Sequence, residues 1–87
     1  MDFRHAFFAM VSGKAVRLPE WGGYWTWEKS EKYGDCCIQM HCRDGRVIDI
    51  RDSEEPGYTF YNLADNRFEV CEPELRQLDP KPVHILP

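Results

Sequence analysis

The stretch from Cys36 to Arg51 alternates with a period of two on both sides of an Asp44-Gly45 pair, and no other pattern in the chain restricts the fold as much. Before the pair, Cys36, Ile38, Met40 and Cys42 alternate with Cys37, Gln39, His41 and Arg43; after it, Ile48 and Ile50 alternate with Asp49 and Arg51. Successive strand side chains point to opposite faces, so this is a β-hairpin with one apolar face. The same alternation selects the loop. A two-residue Asp-Gly loop sets Met40 opposite Asp49 and Ile38 opposite Arg51, which mixes apolar and charged residues on one face. A three-residue loop, Arg43-Asp44-Gly45 with Gly45 left-handed as a bulge, sets Met40 opposite Ile48 and Ile38 opposite Ile50. The three-residue loop is therefore expected.

The rest of the chain supplies partners for that hairpin. Phe3, Ala6, Phe7, Met10 and Val11 recur at i, i+3, i+4, i+7 and i+8, the stripe of an amphipathic helix capped by Asp2 and ended by Gly13. Phe8 lies off the centre of the stripe, where it either widens the buried face or meets a second subunit. Lys14 to Leu18 reads as extended, and Pro19 prevents a continuing helix. Gly22 and Gly23 allow a tight bend, after which Tyr24 to Trp27 alternates as a strand, Trp25 and Trp27 on one face and Tyr24 and Thr26 on the other. The polar run from Glu28 to Asp35 reads as a loop, as does the acidic run from Asp52 to Gly57. Thr59 is placed to cap a short helix through Ala64, and Phe68 to Cys71 reads as a last short strand.

These elements predict an α+β fold: a small antiparallel sheet with an N-terminal helix packed on it and a short second helix, in an oligomer. Residues 1–72 form the domain. Residues 73–87 hold four of the six prolines and read as an extended tail, draped over a neighbour or mobile. With 87 residues there is room for one domain, and chains this short bury only about 60% of their unfolded surface, which makes self-association useful.

Composition narrows the function. The chain is 14% aromatic and carries a formal net charge of −4. That charge argues against a binder of long nucleic acid, which needs a basic stripe to neutralise phosphates. No apolar run approaches the ~20 residues that cross a bilayer, and the start lacks a signal-peptide pattern, so a cytoplasmic protein with no membrane partner is expected. Under that expectation Cys36, Cys37, Cys42 and Cys71 are reduced thiols. Adjacent strand cysteines followed by His41 match no zinc spacing, and neither a metal nor a cofactor is expected.

The order of the pieces resembles a phage family, the second type of Thoeris anti-defence protein. The resemblance rests on Met1, Phe3 and Ala6; on Gly13, Lys14, Val16 and Arg17; on Trp21 and Gly23; and on Leu63, Ala64 and Asp65, and it spans about residues 1 to 71. The family continues its last motif with Asp-Trp. Here "DNRF" stands in that place, so either Phe68 follows after an extra residue or Arg67 occupies the position. The resemblance implies a small α+β protein, usually a homotetramer, that holds the nucleotide signal of a bacterial immune system without cleaving it. Signals held by the family are cyclic isomers of ADP-ribose and, in some members, cyclic dinucleotides. Other relatives are described as anti-CRISPR proteins.

A guest of that kind offers flat bases, ribose hydroxyls and phosphates. Aromatic rings stack on bases for ~1–3 kcal/mol each, and arginine forks match phosphate oxygens. Trp21, at a bend between Pro19 and two glycines, is the first candidate for stacking, against a role in the core. Tyr24 is the second; Trp25 and Trp27 read as core or subunit interface. Arg17 and Arg51 are candidates for phosphate, against ordinary surface ion pairs. Tyr58, Thr59, Asn62 and Asp65, around the second helix, are candidates for base edges and ribose, against capping and turn formation. None of His5, His41 and His84 has a neighbouring carboxylate or nucleophile in a recognisable arrangement, so a binder rather than an enzyme is expected. The competing expectation is a protein-binding inhibitor of a defence effector such as a CRISPR nuclease, with the acidic "DSEEP" run mimicking nucleic-acid charge.

Overall fold

A computed structural model describes residues 1–71. The expected tail, with His84, lies outside the described residues. The elements are α1 (Phe3–Val11), β1 (Ala15–Arg17), β2 (Tyr24–Lys29), β3 (Cys36–His41), β4 (Val47–Asp49), a single 3-10 turn (Ile50–Asp52), α2 (Pro56–Leu63) and β5 (Glu69–Cys71). The strands form one antiparallel sheet in the order β4-β3-β2-β1-β5. Hence the fold is α+β, as the alternating and helical patterns predict.

The hairpin β3–β4 has the expected register, Met40 opposite Ile48, and the expected loop. The Cys42 amide donates to Arg46 O at 2.8 Å and the Gly45 amide to Cys42 O at 3.0 Å. Gly45 sits at φ +93°, a conformation that a side chain strains. The ladder stops at Asp49, so Ile38 and Ile50 do not pair. Asp49 ends the strand because its carboxylate accepts from the Arg51 amide at 2.8 Å and starts the 3-10 turn.

Helix α1 begins and ends where its sequence says. The Asp2 carboxylate accepts from the His5 amide at 3.0 Å. Beyond the last turn, the Gly13 amide donates to Met10 O at 2.9 Å and the Lys14 amide to Ala9 O at 3.1 Å, with Gly13 at φ +97°. This is the Schellman pattern, which a left-handed glycine permits. The helix lays Phe3 against Trp25 and Phe7 against Trp27, with Ala6 and Met10 fully buried beneath it. Phe8 turns away, 58% exposed.

Two boundaries differ from expectation. Strand β2 runs on through Glu28 and Lys29, because β3 offers both a full register, Glu28 opposite Cys37 and Lys29 opposite Cys36. Backbone pairing overrides polar composition there. Helix α2 starts at Pro56, not at Thr59: proline's fixed φ suits the first helical position, and Thr59 lies one turn inside, its hydroxyl 3.3 Å from Glu55 O.

Both helices cover the same face. Trp25, Met40 and Ile48 form one cross-strand row on that face, and α2 closes over it. The core beside them holds Val16, Leu18, Trp21, Ile38 and Phe68. Phe68 is pinned by the chain start, its amide donating to Met1 O at 2.9 Å and its carbonyl accepting from the terminal amine at 2.8 Å. By register, the opposite face carries Arg17, Tyr24, Thr26, Gln39, His41 and Asp49.

Candidate functional site

Helix α2 does not seal the sheet completely. A cavity of about 320 Å³ remains between them, with Trp25, Met40 and Ile48 as its floor. Tyr58, Thr59 and Asn62 form its helical wall, and Arg46, Glu54 and Glu55 stand at its mouth. Small-molecule sites are ~300–1,000 Å³, mostly apolar with a few placed polar groups, so this cavity is at the small end of that class. Thr59 and Asn62 are 7% and 4% exposed, whereas Tyr58 is 40% exposed and reaches the mouth.

Among the described residues two fully buried side-chain polar atoms lack partners, the indole Nε1–H groups of Trp21 and Trp25 in the core. The Asn62 carboxamide has no hydrogen bond among the described residues. Buried donors left unpaired cost about 1–3 kcal/mol each, so native interiors rarely keep them without reason. Thr59 differs: its hydroxyl is 2.9 Å from that of Ser53.

Of the eight residues singled out from the sequence, Tyr58, Thr59 and Asn62 meet at this cavity, and the other five lie elsewhere. Trp21 is a correction. It does not project from its bend, because its amide bonds Leu18 O at 3.0 Å and the turn rolls the ring inward. It packs on Trp25 at 4.8 Å and edge-on to Phe68 at 6.1 Å, only 3% exposed, and no guest can stack on it. The glycine bend serves another neighbour. A side chain at Gly22 would collide with the Arg43 stem at its Cδ.

The two arginines are likewise corrected as phosphate ligands of this site. Arg17 Nε donates to Glu69 Oε2 at 2.9 Å across β1 and β5, on the far face of the sheet. Arg51 donates to both oxygens of Asp49 and of Asp35, and its guanidinium lies 4.2 Å from the Tyr33 ring centre. Hydrogen bonding to Arg51 holds the Asp49 carboxyl far below the usual carboxylate range. Asp65 accepts from Arg67 at 2.7 Å, and the same guanidinium grips Glu20. Asp65 is therefore a turn residue, its carboxyl also held low by Arg67.

Tyr24 is buried on the far face, stacked on His41 at 4.5 Å and 13° between planes. Near them a wider depression of about 650 Å³ is bordered by Lys32, Gln39, His41, Asp49 and Asp52. Its groups satisfy one another: Gln39 Nε2 donates to Asp49 at 2.9 Å, and Lys32 and Tyr33 reach Asp52. His41 Nε2 lies 2.9 Å from Thr26 Oγ1 and 3.2 Å from Glu28 Oε2. Both contacts fall on one ring nitrogen. A nucleophile–base–carboxylate relay needs the two partners on different nitrogens, so this group does not activate Thr26. Among the described residues no cluster of His, Cys, Asp and Glu has the makings of a metal site.

Sequence reasoning missed the floor and Arg46. The signal was present in the hairpin: a three-residue loop places Arg46 in the same alternation as Ile48, opposite Cys42, and so on the helix-covered face. Burial pushes the Cys42 thiol up, which leaves it a neutral part of the lining.

A two-layer α+β domain with one small, mostly apolar cavity under its second helix is the class that these observations define. Compared with protein families, curated proteins and solved structures, the chain matches none.

Proposed function

We propose that the protein is a phage immune-evasion factor that binds a cyclic nucleotide signal, a cyclic ADP-ribose isomer or a cyclic dinucleotide, and sequesters it without cleavage in the host cytoplasm. The carrying observation is the cavity under α2, where an apolar floor and the Asn62 amide, without a partner among the described residues, offer a flat heterocycle both burial and a hydrogen-bonding edge. The resemblance in motif order supplies the class of guest. Self-association, to a tetramer as that resemblance implies, belongs to the same reading. The test is to mix the protein with a panel of such signals, remove unbound ligand, then heat and analyse what is released. Recovery of chemically unaltered ligand is expected. No retention across the panel, or recovery of a hydrolysed product, contradicts the reading.

One feature favours a second reading, a protein-binding inhibitor. Helix α2 displays Phe60 and Tyr61, 68% and 74% exposed, close to Glu54 and Glu55. Exposed aromatics beside charge are the composition of an interface. Co-purification with a defence nuclease that survives filling of the cavity by Ile48→Trp supports this second reading against the first.

A further inference from the structure

We infer that the first turn of α2 is a lid on the cavity: besides the described arrangement it takes a closed one, in which the Tyr58 ring lies on Met40 and Ile48, and a guest enters only by displacing that ring. This rests on the cavity of the sequestration reading and adds what controls entry to it.

The helix faces the wrong way for firm docking. A surface helix holds to its sheet by an apolar stripe, yet the residues that α2 buries are Thr59 and Asn62, both polar. They face the cavity across from the apolar side chains of Met40 and Ile48, while the rings of Phe60 and Tyr61 point outward. Little hydrophobic attraction results. The Asn62 carboxamide, without a partner among the described residues, adds no bond to the sheet either.

The first turn is held least. At the other end of the helix Leu63 packs against the core. The helix has 8 residues, too few to be stable by itself, and its N-cap, Glu55, makes no side-chain capping bond. Gly57 has no atom within 4 Å of where a side chain would stand, so the turn has room to move. Its tether is the bond between the Ser53 and Thr59 hydroxyls, 2.9 Å apart.

Tyr58 is the ring within reach. It precedes Asn62 by four residues, so the two share one side of the helix, and it already lines the mouth. A cavity of about 320 Å³ is ample for one phenol ring, and its floor offers the apolar burial that the ring lacks at the mouth. Closing therefore competes with binding. A guest selects the open arrangement, and its apparent affinity falls in proportion to the fraction of protein that is closed.

The probe is benzamide, a neutral flat ring whose carboxamide pairs donor to acceptor with that of Asn62. Binding is followed through the methyl signals of the three methionines of the intact chain, one of which is Met40. Tyr58 is exposed, so its replacement spares the fold. Tyr58→Ala is expected to bind benzamide about threefold more tightly than the parent; a ring that instead contacts the guest gives the opposite sign. Ser53→Ala releases the tether and is expected to weaken binding about threefold in the parent, and not at all in the Tyr58→Ala background. Benzamide held no more tightly by Tyr58→Ala than by the parent, or bound by neither, overturns the lid. So does a Ser53→Ala loss of equal size in both backgrounds. The cyclic nucleotide panel separates the two readings. Variants that behave as expected toward benzamide, with no cyclic nucleotide retained, support the lid and overturn sequestration. A cyclic nucleotide retained intact, with benzamide held less tightly by Tyr58→Ala, does the reverse.

Discussion

Trp21 and Trp25 are four residues apart; Trp25 lies in the core as its strand setting suggests, and Trp21 lies there against its own. A tryptophan between a proline and two glycines reads as a ring held out toward solvent. The turn from Leu18 to Trp21 instead folds it under Phe68, a contact between residues 47 apart that no local pattern displays. Trp21→Ala is thus expected to act on stability, by ~3–5 kcal/mol in urea unfolding, as for other large aromatics removed from cores. A change in ligand affinity with unaltered stability would contradict this. Asp49 gives a pH prediction at the same scale. Its carboxyl is held low chiefly by hydrogen bonds from Arg51, and Gln39 adds to this, so its folded value lies below the unfolded one of ~3.9. The stability it contributes is present above that unfolded value and is lost as pH falls below it toward the folded one. Asp49→Asn is expected to be less stable than the parent at neutral pH, with the gap narrowing below about pH 4. Parallel stability curves down to pH 2 would refute it.

Among the elements, the hairpin was the most legible because alternation and loop chemistry agree on one register. Gly45 at φ +93° is the residue on which that register turns. Gly45→Ala is expected to cost ~1–2 kcal/mol through left-handed strain, measured by denaturant midpoint. A neutral effect would show that the loop has another conformation. Helix α1 was legible for a similar reason, since its cap, stripe and terminal glycine all agree. Strand ends were not. Glu28 and Lys29 look like loop residues, yet they extend β2 because β3 supplies backbone partners, and Ile50 looks like a strand residue, yet the Asp49 carboxylate turns the chain. The start of α2 was misplaced because threonine and proline both signal helix beginnings, and here Pro56 prevails. As for the candidate site, Tyr58, Thr59 and Asn62, singled out for their side-chain chemistry, line the cavity. The floor of Trp25, Met40 and Ile48 requires knowing which face α2 covers, which is tertiary information.

At the scale of the whole molecule, two surfaces remain to be explained by function: the small cavity and the aromatic outer side of α2. Phe60 and Tyr61 are too exposed to stabilise a lone protomer. On the proposed self-association, replacing both with Lys is expected to leave the unfolding midpoint of dilute protein nearly unchanged and to lower the mass measured by sedimentation. An unchanged mass would contradict a self-contact through these two rings. The account as a whole is that a small domain uses its second helix to roof a cavity for a flat guest and does no chemistry on it. Native mass spectrometry of the protein incubated with cyclic ADP-ribose isomers and cyclic dinucleotides tests this most directly, since it counts protomers and guests together. The account predicts an oligomer carrying intact ligand, released at its original mass. Protein of bare mass throughout the panel, or a ligand returned in pieces, would contradict it.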